Sequence, residues 1–182
     1  MEENCIFNGE TIYDIFLISD LHLYHRNIAE YANRSHGWQE KIITNWNQVV
    51  KKNDTVLHLG DLSFGSKEMT KKVIDQLPGK IFNLKGNHDR KGIKWFDDVG
   101  VTLIKNPFIV DCPNEDIRFY FSHRPQLDVP PRTISIAGHV HDKGDFIYKS
   151  KKVIHVNVSV EQIDYRPIRL SSLMLKIDNL HL

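Results

Sequence analysis

The sequence predicts an α/β protein in which mixed sheets carry helices on their outer sides, and two observations indicate this class. Strand-like and helix-like segments alternate in the first half of the chain, whereas strand-like runs dominate after Gly100. In addition, five apolar, strand-like runs each end in a side chain that can bind a metal ion. Ligands of α/β proteins gather beyond the carboxyl ends of strands, so both observations indicate one site. A chain of 182 residues fits one domain, predicted to span residues 1–182.

The first half contains three strands separated by helices. The apolar residues of the first helix follow the 3.6-residue period of a helix with one buried face. The second helix begins at Ser66, a suitable N-cap, presents Met69 on its buried face, and ends before Pro78 and Gly79. The predicted strands cover 16–19, 54–60 and 80–85, and the predicted helices cover 38–51, 66–77 and 93–98.

The second half is predicted to be almost entirely strands and loops. A loop is expected at 128–132, because the consecutive prolines Pro130 and Pro131 are incompatible with a hydrogen-bonded strand. The predicted strands cover 101–105, 108–111, 117–121, 133–137, 146–148, 153–158 and 170–177.

Composition and charge exclude several classes of protein. Hydrophobic residues make up 41% of the chain and charged residues 26%, and the net charge of +1 gives no broad basic surface for nucleic acid. No apolar run is long enough to span a bilayer and no signal peptide is present, so we expect a cytoplasmic protein without a membrane partner. Cys5 and Cys112 lie far apart and outside the motifs described below, so no disulfide or thiolate zinc site is predicted.

The side chains at the strand ends form a ligand set for hard metal ions. Carboxylate, imidazole and amide groups without thiolates suit manganese, iron, zinc or magnesium. The set is too large for one tetrahedral ion and suits two ions that share a carboxylate, the arrangement of two-metal hydrolysis. The residues are Asp20 and His22, Asp61, Asn87-His88-Asp89, His123, and His139 and His141.

These motifs, in this order, resemble the calcineurin-like metallophosphoesterase superfamily. The series is Asp20-x-His22, Gly60-Asp61, Gly86-Asn87-His88-Asp89, His123 and Gly138-His139-x-His141. The segment 19–28 and the short chain are similar to the compact bacterial and phage members. The resemblance implies the metallo-dependent phosphatase fold, a four-layer αββα sandwich of two mixed β-sheets flanked by helices. It also implies two divalent metal ions, with manganese favoured and iron, zinc, nickel or magnesium as alternatives.

The resemblance further implies a role for each motif residue. His88 would protonate the leaving oxygen or stabilise the phosphoryl group, and Asp89 would accept a hydrogen bond from the His88 ring and favour its protonated form. The first ion would be held by Asp20, His22 and His141, the second by Asn87, His123 and His139, with Asp61 bridging both.

The implied activity is hydrolysis of a phosphoester by a hydroxide that bridges the metals, with His88 assisting the leaving group. We favour a small nucleotide-like or cyclic phosphodiester, because the chain has little length for a cap domain and an open site tolerates a second substituent on phosphorus. A phosphomonoesterase or protein phosphatase and a non-catalytic interaction module on the same fold are the alternatives. A nuclease is a further variant, although the near-neutral charge argues against a long polyanionic partner.

Three residues are weaker candidates for substrate binding. Arg124 follows the ligand His123 and could reach a phosphate oxygen with two hydrogen bonds, although a solvated arginine is an equal alternative. Arg26 and Asn27, in the loop after Asp20-x-His22, could line the substrate side.

Overall fold

The computed structural model describes residues 5–179, which form a mixed α/β fold with two five-stranded sheets. The strands are β1 Ile6–Phe7, β2 Glu10–Thr11, β3 Phe16–Ile18, β4 Thr55–His58, β5 Lys80–Leu84, β6 Val101–Ile104, β7 Phe108–Cys112, β8 Ile117–Phe121, β9 Thr133–Ala137, β10 Ile147–Ser150, β11 Val153–Asn157 and β12 Ile168–Arg169. The α-helices are α1 Ile28–Tyr31, α2 Trp38–Val49, α3 Lys67–Ile74, α4 Ile93–Val99 and α5 Leu170–Asn179.

Both sheets are mixed, as predicted. In the first sheet, ordered β12-β3-β4-β5-β6, strands β3 to β6 run parallel and β12 is antiparallel. In the second, ordered β10-β11-β9-β8-β7, the central strands β11, β9 and β8 run parallel and the two edge strands are antiparallel. The parallel strands of each sheet therefore end at one edge, where their loops can meet.

Successive side chains of the strands point to opposite faces of the sheet and so belong to two different hydrophobic clusters. Phe16 and Ile18 of β3 face helices α2, α3 and α4, whose buried residues include Trp46, Ile74 and Phe96. The intervening β3 residue, Leu17, faces the second cluster, which contains residues of both sheets. The second cluster includes Leu57, Phe119, Ile136 and Val156 from the strands and Leu170, Leu173 and Ile177 from α5.

The predicted strand at 170–177 is wrong, because the segment is helix α5. Its buried residues Leu170, Leu173 and Ile177 recur at the spacing of one helical face. The high apolar content of the segment concealed this period. Helix α3 is also shorter than predicted, and Met69 is 42% exposed instead of buried, although Ser66 caps the helix by accepting a hydrogen bond from the Met69 amide.

The absence of a disulfide is a second prediction that the structure contradicts. Cys5 and Cys112 are bonded, with their Cα atoms 5.3 Å apart, and both are buried in the second cluster. Their proximity depends on the packing of the N-terminal segment beside β7, which sequence spacing does not reveal. Within residues 5–179 no helix combines the length and apolar character that crossing a bilayer requires.

Candidate metal centre

The predicted ligands all follow the carboxyl ends of parallel strands. Asp20 comes after β3, Asp61 after β4 and Asn87 after β5, whereas His123 follows β8 in the second sheet and His139 follows β9. Both sheets therefore contribute to one cluster at the edge where their parallel strands end.

The structure brings these residues together in two groups of three. The ligand atoms within each group lie within 4.8 Å of one another, so each group can hold a metal ion. Asp61, a member of the second group, also approaches the first, because its Oδ2 is 3.3 Å from His123 Nε2 and 3.6 Å from His22 Nε2. Asn87 adds an amide oxygen, 2.9 Å from His123 Nε2. The groups are Asp20, His22 and His141, and Asp61, His123 and His139.

Buried polar atoms without partners support metal binding at this site. Asp20 Oδ1 and both ring nitrogens of His22 are buried and have no hydrogen-bond partner among the described residues. Burying such atoms is costly unless a ligand satisfies them. The oxygen and nitrogen donor set fits a pair of divalent ions such as manganese, iron, zinc or magnesium.

The backbone at the ligands adopts a conformation that non-glycine residues rarely occupy. Five of the seven predicted ligands have φ between 49° and 71°. Such strain persists where the surroundings determine the conformation, and it is common at functional sites. Backbone hydrogen bonds hold the ligand loops together, including those from the Asp20 amide to Gly60 O and from the His22 amide to Asp61 O. The five residues are Asp20, His22, Asp61, His139 and His141.

Two glycines allow the ligand loops to approach one another. A Cβ atom on Gly86 would collide with the carboxylate of Asp61, and one on Gly138 would collide with Ser19 and the carboxylate of Asp20. The Gly-Asn-His-Asp and Gly-His-x-His motifs therefore need glycine at their first position for close packing.

Opposite charges in the cluster shift the pKa values of its members. Burial opposes ionisation of Asp20 and Asp61, but the hydrogen bonds and positive charges of neighbouring histidines outweigh burial and lower both carboxyl pKa values. Burial favours neutral His123 and His141, but Asp61 beside His123 and Glu161 beside His141 raise their pKa values above 6.5. The protein thus holds ionised carboxylates where cations would bind.

An ion pair behind the first group of ligands was missed by the sequence analysis. The buried guanidinium of Arg34 donates to the backbone oxygens of Asp20 and Leu21 and to Glu161 Oε1. Glu161 Oε1 also lies 3.2 Å from His141 Nδ1. This network orients both a ligand loop and a ligand ring. Glu161 closely follows the carboxyl end of β11. The search for polar side chains after predicted strands could therefore have identified it as a residue that supports the site.

The predicted hydrogen bond between Asp89 and the His88 ring is wrong. The buried carboxylate of Asp89 instead accepts hydrogen bonds from the amides of Asp61 at 2.8 Å, Leu62 at 3.0 Å and Gly86 at 2.9 Å. Backbone donors therefore occupy both of its oxygens. Asp89 positions the loop that carries Asp61 and is not a partner of the exposed His88.

His88 lies at the outer side of the cluster. Its backbone amide donates to Asp61 Oδ1 at 2.8 Å, and its ring centroid is 5.7 Å from that of His22. Arg124, next to His123, is exposed. Burial, and then the charges of His123 and Arg124, lower the pKa of His139. Arg26 and Asn27 are exposed immediately before α1.

The chain is similar to known proteins over most of its length. The chain is 35% identical over 175 residues to an uncharacterised protein of Methanocaldococcus jannaschii, covering 90% of this chain and 91% of that protein. Among solved structures, a protein of unknown function from Aquifex aeolicus has a TM-score of 0.68 and 27% identity, covering 91% of this chain and 98% of the other.

A further solved structure, that of an archaeal phosphodiesterase, has a TM-score of 0.49 and 20% identity, covering 79% of this chain and 81% of the other. The family profile of the calcineurin-like phosphoesterase superfamily domain matches residues 14–178. The match extends over nearly the whole chain, and the chain therefore belongs to the calcineurin-like phosphoesterase superfamily, whose members are metal-dependent phosphoesterases.

Proposed function

We propose that this protein hydrolyses phosphodiesters with the help of two divalent metal ions, of which manganese is the favoured species. The observation that carries this proposal is the pair of three-residue groups, in which the Asp61 carboxylate of the second group also approaches His22 of the first. In this proposal Asp20, His22 and His141 would hold one ion. Asn87, His123 and His139 would hold the other, and Asp61 would contribute to both. When bound, the ions supply an activated water as nucleophile and neutralise the charge on the phosphoryl oxygens.

The residues around the ions have separate tasks. The Asp89 carboxylate accepts hydrogen bonds from the backbone amides of the loop that carries Asp61, and so positions that loop. Glu161 orients the His141 ring. His88 is exposed at the outer side of the cluster, where it can donate a proton to the departing oxygen. Arg124, exposed beside His123, is the nearest arginine in sequence to a ligand and can attract the substrate phosphate.

A diester substrate agrees with the exposure of the site. Asn87, His88 and Arg124 are all exposed, so a second substituent on phosphorus can project into solvent. A diester whose leaving group is a poorly acidic alcohol would benefit from proton donation by His88.

The test is turnover of bis(p-nitrophenyl) phosphate against p-nitrophenyl phosphate by protein reconstituted with manganese, magnesium, zinc or nickel. We expect faster hydrolysis of the diester and two bound ions by elemental analysis. Faster hydrolysis of the monoester would indicate a phosphomonoesterase instead. No hydrolysis by protein that holds two ions would contradict the proposal.

A further inference from the structure

Three aromatic rings line the rim of the candidate metal centre. Phe64, on the loop between β4 and α3, is 44% exposed. Its ring centroid lies 5.6 Å from that of His22, with the planes at 20°, and 5.2 Å from that of His88. His25 approaches the Phe64 ring at 4.1 Å, and Tyr31, which is 66% exposed, lies 6.1 Å from His25. We call Phe64, His25 and Tyr31 the aromatic rim.

Backbone hydrogen bonds tie two residues of the aromatic rim, Phe64 and His25, to the segment that carries His22. The Phe64 amide donates to Leu23 O at 2.9 Å, and the His25 amide donates to His22 O at 3.0 Å. Next to Phe64 in sequence, the Ser63 hydroxyl is 2.7 Å from the Thr70 hydroxyl of α3. The Phe64 ring is also packed against the rings of His22, His25 and His88, so it loses little conformational freedom when a ligand stacks on it.

The setting of Phe64 distinguishes it from an ordinary exposed apolar residue. Single exposed hydrophobic side chains are common on protein surfaces and need no ligand. Phe64, however, contacts the rings of a predicted metal ligand and of the predicted acid, in a centre that is otherwise polar. A nucleotide has a flat aromatic base separated from its phosphate by one sugar, which matches an exposed ring beside a phosphate site.

The neighbours of Phe64 indicate which part of the substrate carries the base. His88, next to Phe64, is the proposed proton donor to the departing oxygen. A base that stacks on Phe64 would therefore belong to the group that leaves.

We propose that the aromatic rim is a stacking subsite for the base of the departing nucleoside, so that the substrates are nucleoside-bearing phosphodiesters. This inference rests on the proposed function. In the reaction a water oxygen bonds to phosphorus and the bond between phosphorus and the nucleoside oxygen breaks. The nucleoside oxygen takes a proton from His88, and the water loses a proton to solvent.

A binding experiment tests the subsite without turnover. Isothermal titration of manganese-loaded protein compares adenosine 5′-monophosphate with ribose 5-phosphate, which lacks the base. We expect the nucleotide to bind about 5- to 100-fold more tightly, the equivalent of about 1–3 kcal/mol for stacking one base. The variant Phe64→Leu should lose this preference, whereas Phe64→Tyr, which retains a ring, should keep it.

A matched control separates stacking from a general loss of apolar surface. Ile109 on β7 has the same exposed fraction as Phe64, at 44%, but lies in the second sheet. The variant Ile109→Ala should bind both compounds as the unaltered protein does. Equal affinity for the two compounds in the unaltered protein, or a preference that survives Phe64→Leu, would overturn the subsite.

A hydrolysis experiment tests which nucleoside is stacked. Thymidine dinucleotide is compared with two versions in which one or the other residue lacks its base, and chromatography identifies the nucleoside released. We expect kcat/KM to fall about 5- to 100-fold when the departing residue is abasic, and Phe64→Leu should abolish the difference. If kcat/KM fell only when the residue that stays on phosphorus is abasic, or did not fall at all, the assignment of the stacked base to the departing nucleoside would be overturned. Failure to cleave any diester, including bis(p-nitrophenyl) phosphate, would instead reject the proposed function, while the titration still judges the subsite.

Discussion

At the scale of single residues, the site depends on side chains whose tasks follow from their contacts. Asp61 lies between two histidines from different groups, whereas Asp89, in the Asn87-His88-Asp89 motif, is committed to backbone amides. Two carboxylates at neighbouring strand ends therefore have different roles. One can bind metal and the other holds a loop, a distinction that residue type alone does not make.

We predict that Asp61→Ala removes most bound metal and abolishes hydrolysis, because it takes a ligand from both ions. Elemental analysis should find fewer than two ions per chain. The control is Asp75→Ala on the exposed face beside Lys71, which should retain both ions. An Asp61→Ala protein with two ions and an unchanged rate would show that this carboxylate does not bridge.

We predict that His88→Ala keeps the metal ions but slows diester hydrolysis by roughly 10²–10⁴-fold, the usual contribution of a general acid. The loss should be smaller for p-nitrophenyl esters, whose leaving group departs without a proton. The measurement is kcat for esters of graded leaving-group pKa, together with metal content. Equal losses across the series would remove His88 from this role.

At the scale of elements, the ends of strands decide where the candidate metal ligands lie. Alternation along β3 divides its side chains between the two clusters, and its carboxyl end delivers Asp20 to the loop edge. The segment after β11 acts in the same way, because the Ser159 hydroxyl donates to Asp20 Oδ2 and Glu161 contacts His141. Elements that carry no ligand thus position the ligands of others.

We predict that Glu161→Gln weakens metal binding by about 10- to 100-fold, the usual cost of losing a group that orients a metal-binding histidine. The change leaves the Arg34 charge without its carboxylate and weakens the contact with the His141 ring. Competition titration with a chelating dye measures the affinity. The exposed Asp164→Asn, which faces Lys41, is the matched control and should have no effect. An unchanged affinity in Glu161→Gln would contradict the positioning role.

At the scale of the whole molecule, two groups of histidines have pKa values shifted in opposite directions. These shifts make the stability of the fold depend on pH. Neighbouring carboxylates raise the pKa of His123 and His141 above 6.5 despite burial. Burial is the largest cause that lowers the pKa of the other group below 6.5, which is His25, His58, His139 and His155. The first pair stabilises the fold when protonated and the second group stabilises it when neutral.

We predict that the chelated protein is most stable near pH 6.5. Above this value His123 and His141 lose protons that stabilise the folded state. Below it the histidines of the second group bind protons more readily in the unfolded chain than in the folded protein, so the free energy of unfolding falls. Because metal ions require neutral histidine ligands, the metal-loaded protein should lose the decline on the alkaline side. Urea unfolding across this range, with chelator or manganese, measures both curves, and two parallel curves would contradict the prediction.

Much of the fold was predictable because it depends on local pattern. The strands at 117–121 and 133–137 match the structure residue for residue, and Ser66 caps α3 as expected. The strand predicted at 170–177 failed because a short apolar segment satisfies both periods, and burial against the second cluster selects the helix. The bond between Cys5 and Cys112 depends on packing between segments far apart in the chain.

The sequence by itself determined the types of the candidate ligands, their order and their positions at strand ends, since these follow from motif spacing and side-chain chemistry. Only the tertiary structure decided which ligands share a group, that Asp89 serves the backbone, and that Arg34 and Glu161 support the first group. The physical reason is that hydrogen bonds and ion pairs between distant segments depend on distance and direction. Those distances and directions exist only once the chain has folded. Strand ends and helix caps, in contrast, depend on residues that are neighbours in the chain.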